Sequence, residues 1–202
     1  MKTEFKEIRD NWKLVKNACR TTVRKKFTET DATETFKKKI LISEHTPIRL
    51  LEFYWQWDGI PYFAGMEWAR HKFEKFISSQ RNDRQNEYDR NAARQDAPIT
   101  FDAHANMQNL IDAWRKRLCF QATPEARGLA EDFKLKLSET NPEEASVLVP
   151  NCIYRCGCPE FKTCGYWQNF WDYVIKEHPY ANIFDIQSRY DIYNEYFTKG
   201  KE

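Results

Sequence analysis

Residues 70–81 read RHKFEKFISSQR, and the chain is best interpreted outward from this segment. It opens on three basic residues, Arg70, His71 and Lys72. Apolar side chains recur at helical spacing around them, which predicts a helix that begins after Pro61 and carries the three basic residues. The apolar positions are Phe63, Met66, Phe73 and Ile77. Such a helix could present its basic residues to solvent or to an anionic ligand, because arginine offers paired donors to phosphate.

The rest of the chain predicts a mixture of helices and strands. The stretch from Ile48 to Trp57 is rich in β-formers and is closed by Asp58-Gly59, so we predict a buried strand there. Residues 82–98 have no apolar periodicity and predict an exposed loop. Thr123-Pro124-Glu125 resembles a helix start. Helical spacing predicts further helices over residues 9–23, 107–118, 166–176 and 183–197.

Composition limits the classes of protein to which the chain can belong. A length of 202 residues predicts one domain, residues 1–202, and 15% aromatic residues indicate a packed core rather than disorder. The net charge of +2 excludes nucleic-acid binding through bulk charge alone. No apolar run is long enough to span a membrane, and the N-terminal residues lack the apolar stretch of a secretion signal. We therefore expect a cytoplasmic protein with no membrane partner.

The segment at residues 70–81 resembles the signature of the flavin-dependent thymidylate synthases, R-H-R-x-x-S-x-N-E-x-S-x-R. Lys72 stands in place of the third basic residue, and Lys75 in place of the first serine. The Asn-Glu pair is absent, and Ser79-Gln80-Arg81 provides the closing S-x-R one residue early.

Colinear matches flank this segment, from about residue 18 to about residue 190. Residues 18–22, ACRTT, are similar to the family's early A-A-R-x-S, and His45-Thr46-Pro47 is similar to its H-x-S/T-P. Residues 142–150, PEEASVLVP, are similar to E-x-A-R-x-x-L-P, with Ser146 where an arginine would bind the nucleotide phosphate.

The resemblance implies an α+β fold, a single thymidylate synthase-like domain in which helices pack on a small mixed or antiparallel sheet. It implies that Ser79 and Arg81 hold a nucleotide across a subunit interface, and that the protein is a homotetramer. It also implies contacts to the flavin and folate cofactors from His45, Arg70, His71 and Lys72.

Two further arginines are candidates for the nucleotide phosphate. Arg84 lies in the predicted loop, where it could be a solvated charge or a phosphate contact, and the loop's acidic residues keep its net charge small. Those acidic residues are Asp83, Glu87, Asp89 and Asp96. Arg117 ends the helix predicted over residues 107–118, where it could instead favour the helix dipole. We assign both to the substrate, with the solvated alternatives open.

The Cys-rich turn at residues 152–164 is the most distinctive local feature. Cys152, Cys156, Cys158 and Cys164 are interleaved with turn residues, and such turns let thiolates converge on a tetrahedral metal. Cys119 could complete a set with Cys152, Cys158 and Cys164, leaving Cys156 free. Structural zinc is our prediction, and free thiols, a redox pair and an iron–sulfur cluster are the alternatives.

The resemblance implies a methyltransferase that uses FAD and methylenetetrahydrofolate to transfer one carbon to C5 of a deoxyuridine nucleotide. The altered positions leave two alternatives: an enzyme that modifies a different pyrimidine nucleotide, or a zinc-stabilised, non-catalytic protein that binds nucleotides or nucleic acid. The compact length and the altered motifs would suit a phage-encoded relative.

Overall fold

The computed structural model describes residues 2–84 and 89–200. The strands are β1 (Thr3–Arg9), β2 (Glu52–Pro61), β3 (Glu74–Ile77) and β4 (Pro98–Asn106). The helices before β4 are α1 (Trp12–Thr22), α2 (Glu34–Ile42), a 3-10 helix (Thr46–Leu50) and α3 (Tyr62–Trp68). Those after it are α4 (Met107–Arg117), α5 (Pro124–Thr140), α6 (Pro142–Ser146), α7 (Asn151–Tyr154), α8 (Tyr166–Glu177) and α9 (Ile186–Lys199).

The four strands form one antiparallel sheet in the order β1-β2-β4-β3. Side chains alternate along β2, so Phe53, Trp55 and Trp57 are buried on one face. Tyr54 lies on the opposite face, where its hydroxyl donates to Asp102 over 2.9 Å. The sheet therefore has one apolar face beneath helices and one polar face.

An aromatic cluster joins the apolar face of the sheet to the helices. Trp55 contacts Trp114 of α4 and Phe133 of α5, with ring centroids 6.1 and 5.1 Å apart. Trp68, the last residue of α3, lies 5.0 Å from Trp114. Rings of this size dominate the energetics of a core, so the cluster fixes α3 and α4 against the sheet.

The predicted α+β class and antiparallel sheet are confirmed, and so is the helix predicted at residues 107–118. The helix start predicted at Thr123 is also confirmed, because the Thr123 hydroxyl accepts from the Ala126 amide over 3.4 Å. The strand predicted at residues 48–57 begins later, at Glu52, because a 3-10 helix precedes it. Within the predicted loop, residues 82–84 and 89–97 have neither helix nor strand; residues 85–88, including Glu87, lie outside the described residues.

The prediction that a helix carries Arg70, His71 and Lys72 is wrong. Helix α3 ends at Trp68, and the three basic residues lie in the turn that follows it. The chain then enters β3, in which Glu74 pairs with His104. Apolar spacing alone could not show this, because the apolar residues of the turn and the strand mimic further helical turns.

No helix among the described residues is both long enough and apolar enough to cross a membrane.

Candidate functional site

The turn at residues 69–72 is held in place by side chains from two other elements. The ammonium of Lys75 in β3 donates to the carbonyl oxygens of Ala69 and His71, each over 3.0 Å. The Asn109 amide in α4 donates to the Lys72 carbonyl oxygen over 2.8 Å. Three backbone acceptors of the turn are thus satisfied, and these bonds fix the backbone from which its basic side chains extend.

His71 belongs to a hydrogen-bonded network beneath the turn. The Arg117 Nε donates to His71 Nε2 over 2.8 Å. The same guanidinium donates through Nη1 to a Glu67 carboxylate oxygen over 2.6 Å and through Nη2 to the Glu67 carbonyl oxygen over 2.5 Å. The second carboxylate oxygen of Glu67 accepts from the Thr123 hydroxyl over 2.8 Å. The network joins α3, α4 and the start of α5 to the histidine ring.

The network determines the charge of His71. Burial lowers the pKa of His71 to about 4, and the positive charges of Arg117 and Lys75 contribute to the same shift. Because Nε2 accepts from Arg117, the neutral ring carries its proton on Nδ1. His71 is therefore a neutral donor at physiological pH rather than a second cation.

A cavity of about 190 Å³ opens beside the turn. Arg70, His71 and Lys72 line one side of it, and Asn109 and Asp112 line the other. Arg70 is exposed and forms no hydrogen bond or ion pair within the described residues. The cavity mouth thus has a guanidinium available for an anionic ligand, above a neutral histidine.

His45 lies beside a second set of contacts to α4. Its neighbour Glu44 accepts from Gln108 over 2.8 Å and pairs with Arg115. Arg115 also approaches Asp112, at 3.6 Å, which lines the cavity. The buried Nδ1 of His45 has no hydrogen-bond partner among the described residues. Within the described part of the chain, no hydrogen bond or ion pair joins His45 to the turn, so its cofactor role stays a prediction.

The residues predicted to hold nucleotide lie at the other end of β3. The four residues of β3 separate them from the turn by roughly 13 Å along the strand. Arg81 forms a two-point ion pair with Asp83, at 2.9 and 2.5 Å, and its amide donates to the Ser79 hydroxyl over 3.3 Å. Arg84 is exposed in the same turn. One chain therefore does not bring Ser79, Arg81 and Arg84 together with Arg70.

Arg117 lies with the turn rather than with this loop. Three of its five N–H groups are used by Glu67 and His71, so its observed contacts are structural. Its predicted contact with the substrate has no support in these bonds and stays a prediction.

Ser146, which the resemblance predicts to replace a phosphate-binding arginine, lines a different cavity of about 240 Å³ with Lys134 and Asn194. The Lys134 ammonium is buried and donates to the Ala145 carbonyl oxygen over 2.7 Å and to the Asn194 amide oxygen over 2.6 Å. Burial lowers the pKa of Lys134 to about 7. The amine of a lysine from α5, with a pKa near neutrality, thus lies next to Ser146.

The four thiols predicted as metal ligands lie at the end of α4, in α7 and in the loop before α8. Burial raises the pKa of Cys119, and the nearby Cys164, Glu160 and Cys158 raise it further. Burial also raises the pKa of Cys152, to about 12. Among the described residues, no three His, Cys, Asp or Glu side chains are already arranged to hold a metal ion.

Sequence reasoning missed the residues that hold the turn: Glu67, Lys75 and Asn109. Lys75 is marked in the sequence only as a departure from the family motif, and Asn109 lies inside an amphipathic helix where a polar residue predicts solvent exposure. Lys134 follows the core residue Phe133 in α5, and its burial was detectable only from the position of α9.

Comparison with known proteins supports the fold through structure rather than sequence. No protein-family profile and no curated protein matches the sequence. The solved flavin-dependent thymidylate synthase ThyX from Helicobacter pylori, complexed with FAD and dUMP, aligns with a TM-score of 0.56 and 14% identity, over 66% of this chain and 92% of that chain. The UMP/dUMP methylase PolB from Streptomyces cacaoi, bound with 5-Br dUMP, aligns with a TM-score of 0.58 and 12% identity, over 72% of this chain and 93% of that chain.

Proposed function

We propose that this chain, which has the fold of the flavin-dependent thymidylate synthases, methylates a pyrimidine deoxynucleotide at C5 in a flavin-dependent reaction. The turn at residues 69–72 carries the proposal. Hydrogen bonds hold three of its carbonyl oxygens, and beside a cavity it presents a neutral histidine and Arg70, which has no hydrogen bond or ion pair among the described residues. The two solved neighbours bind dUMP or its 5-bromo derivative, and one of them binds FAD.

Arg70, His71 and Lys72 would hold the flavin. Arg70 and Lys72 can pair with the phosphates of FAD, and the Nδ1 proton of neutral His71 can be donated to an acceptor on the cofactor. A cavity of about 190 Å³ is smaller than the pockets that enclose drug-sized ligands, so it can enclose only part of the cofactor. The rest of the cofactor must then lie along the surface or against a second subunit.

A homotetramer would complete the site. Ser79 and Arg81, which would bind the nucleotide, lie at the far end of β3 from the turn, which would bind the flavin. A single chain would therefore hold apart the two ligands that must react. A second copy that places its residues 79–84 against the turn would bring phosphate contacts to the flavin. Arg81 would then exchange Asp83 for the nucleotide phosphate, which is also a two-point acceptor.

The chemistry requires positioning more than a protein nucleophile. The methylene carbon of methylenetetrahydrofolate would become bonded to C5, the C5 hydrogen would leave as a proton, and tetrahydrofolate would be released. Reduced flavin, when bound, supplies the hydride that converts methylene to methyl. The chain's own contribution is to orient the partners and to stabilise charge with Arg70 and Arg81.

Release of tritium from dUMP labelled at C5 tests the reaction. The purified chain should release tritium to water only when FAD, a reductant for it and methylenetetrahydrofolate are all present. Arg70→Ala and Arg81→Ala should each lower the rate, whereas Lys176→Ala, which removes an exposed cation from α8, should not. No release from the wild-type chain under saturating cofactor would contradict methylation of dUMP.

A different pyrimidine nucleotide is the second candidate substrate. The neighbour PolB is a UMP/dUMP methylase. In this chain Ser146 stands where the family motif has an arginine, and Asp83 pairs with the predicted phosphate contact Arg81. Tritium release from labelled UMP but not from dUMP would favour this alternative and keep the flavin site.

A non-catalytic nucleic-acid binder is less well supported, because two of the loop's arginines are already neutralised. Arg81 pairs with Asp83 and Arg94 pairs with Asp96. Phosphate backbones are bound by unpaired basic clusters, so this loop would have to lose two ion pairs to serve as one.

A further inference from the structure

Four of the six cysteines lie where three separate segments of the chain meet. Cys119 follows the end of α4, Cys152 lies in α7, and Cys158 and Cys164 lie in the loop at residues 155–165, which we call the Cys loop. None of the four forms a disulfide.

A left-handed residue turns the Cys loop back toward α7. Cys156 has a φ of 55°, and the amide of the next residue, Gly157, donates to the Cys152 carbonyl oxygen over 2.9 Å. This closes the helix in the manner of a left-handed C-terminal cap. The cap uses the backbone of Cys156 and directs the following Cys158 back toward the helix that carries Cys152.

The other end of the Cys loop is fastened to the end of α4. The Gln121 amide donates to the Lys162 carbonyl oxygen over 2.8 Å, and the rings of Phe120 and Tyr166 stack with centroids 4.5 Å apart. An ion pair joins Lys116 to Glu160 at 4.0 Å. These contacts lie on both sides of Cys119 and bracket Cys164, so the loop brings its two thiols to the end of α4.

The thiols of these four cysteines are close enough to interact electrostatically. Cys152 interacts with Cys119, Cys158 and Cys164, and Cys119 interacts with the latter two. Cys19, in α1, is not part of this group. Their accessibility is graded, from the buried Cys152 to the exposed Cys164, so an ion could enter from the solvent side and reach the interior.

Within the described residues of the Cys loop, Cys156 is the side chain that packs against the hydrophobic core. The loop contains no helix or strand among its described residues, and its one large apolar side chain, Phe161, points fully into solvent. The order of the loop thus depends on Cys156 and on the contacts at its two ends, and small irregular segments commonly gain further stability from a bound metal.

We propose that Cys119, Cys152, Cys158 and Cys164 close around one structural zinc ion that fastens the Cys loop to α4 and α7. Among the described residues these side chains are not already arranged to hold a metal ion, so the four thiols would rotate toward one another on binding. Four protein ligands would leave no open position for water, which assigns the ion to stability rather than to catalysis. The proposal does not depend on the proposed methyl transfer.

Metal analysis of the purified full-length chain tests this proposal. We expect one zinc per chain in the wild type, and loss of the zinc in Cys152→Ser and Cys158→Ser. The matched controls are Cys156→Ser, whose backbone rather than thiol is used, and Cys19→Ser; both should keep one zinc per chain. Equal loss of zinc from Cys156→Ser and Cys158→Ser would overturn the assignment of the ligands.

A second measurement needs no variant. In the native wild-type chain, four of the six cysteines should resist a thiol reagent, and a strong zinc chelator should expose them. A chain that contains no zinc, contains iron and sulfide instead, or has these thiols oxidised to disulfides would overturn the proposal.

Discussion

The two ends of β3 present the same kind of residue in opposite states. At the turn before the strand, Lys75 and Asn109 bind the backbone and Arg117 binds His71, whereas the Arg70 and Lys72 side chains form no hydrogen bond or ion pair within the described residues. At the loop after the strand, Arg81 is exposed and pairs with Asp83, which lies two residues away.

This difference indicates when each end of the strand becomes ordered for binding. The turn is preorganised within a single chain, which reduces the entropy that a cofactor must overcome on binding. The contacts described for Arg81 are local, to Ser79 and Asp83, which suits a surface that completes a site on another copy. Substitutions at the two ends should therefore have different effects on stability and on binding.

The largest expected effect is that of Arg117→Ala on stability. The substitution leaves the Glu67 carboxylate and the His71 Nε2 without their donor, and removing one partner of a largely buried ion pair costs on the order of 3 kcal/mol. Urea unfolding followed by tryptophan fluorescence measures the change. The matched variant Arg81→Ala should unfold like the wild type, and an equal loss in both variants would remove the difference between the two ends.

A smaller effect is expected from Lys75→Met, which keeps the length of the side chain but removes its ammonium. The carbonyl oxygens of Ala69 and His71 lose their donor, and we expect a loss of about 1–2 kcal/mol of unfolding free energy. Amide hydrogen exchange should show faster exchange at residues 69–73 and no change at residues 79–81. Unchanged exchange in the turn would show that Lys75 does not hold it.

Acid should weaken the turn by a similar or smaller amount. Because the pKa of His71 falls from 6.5 to about 4 on folding, the unfolded chain binds a proton first, and stability is lost as the pH falls from 6.5 toward 4. After allowance for solvent screening of a half-buried ring, we expect about 1 kcal/mol. His71→Gln should lack this part of the pH dependence; a variant with the wild-type profile would assign the loss to other groups.

The smallest effect is expected from Asp83→Asn, which releases Arg81 from its ion pair. Exposed pairs contribute little to stability, so unfolding should be unchanged, while affinity for dUMP should rise by about threefold because the guanidinium no longer exchanges partners. Isothermal titration measures both variants against the wild type. Weaker dUMP binding in Asp83→Asn would indicate that Asp83 orients Arg81 for the nucleotide.

The sequence could predict the parts of the fold that have local causes. Helix α4 follows from its apolar stripe, and Thr123 begins α5 because its hydroxyl caps the helix. Strands β1 and β4 were missed: Phe5 and Ile8 are too few to mark β1, and the alternation of Ile99, Phe101 and Ala103 in β4 was overlooked beside the polar loop.

The candidate site was predictable in its residue types but not in its geometry. The likeness of residues 70–81 to a known signature identified Arg70 and His71, whereas the partners of His71 come from α4, 46 residues away along the chain. Long-range pairing of this kind has no sequence signal in a single chain. Arg117 illustrates the limit, because a basic residue at a helix end has the same appearance in the sequence whether it contacts a ligand or a half-buried glutamate such as Glu67.

Titration of FAD into three forms of the protein tests the central claim that the turn is the flavin end and the loop is not. The wild type should bind FAD saturably, Arg70→Ala should bind it at least about tenfold more weakly, equivalent to about 1.4 kcal/mol, and Arg81→Ala should bind it like the wild type. Equal weakening in both variants, or no binding to the wild type, would contradict the account.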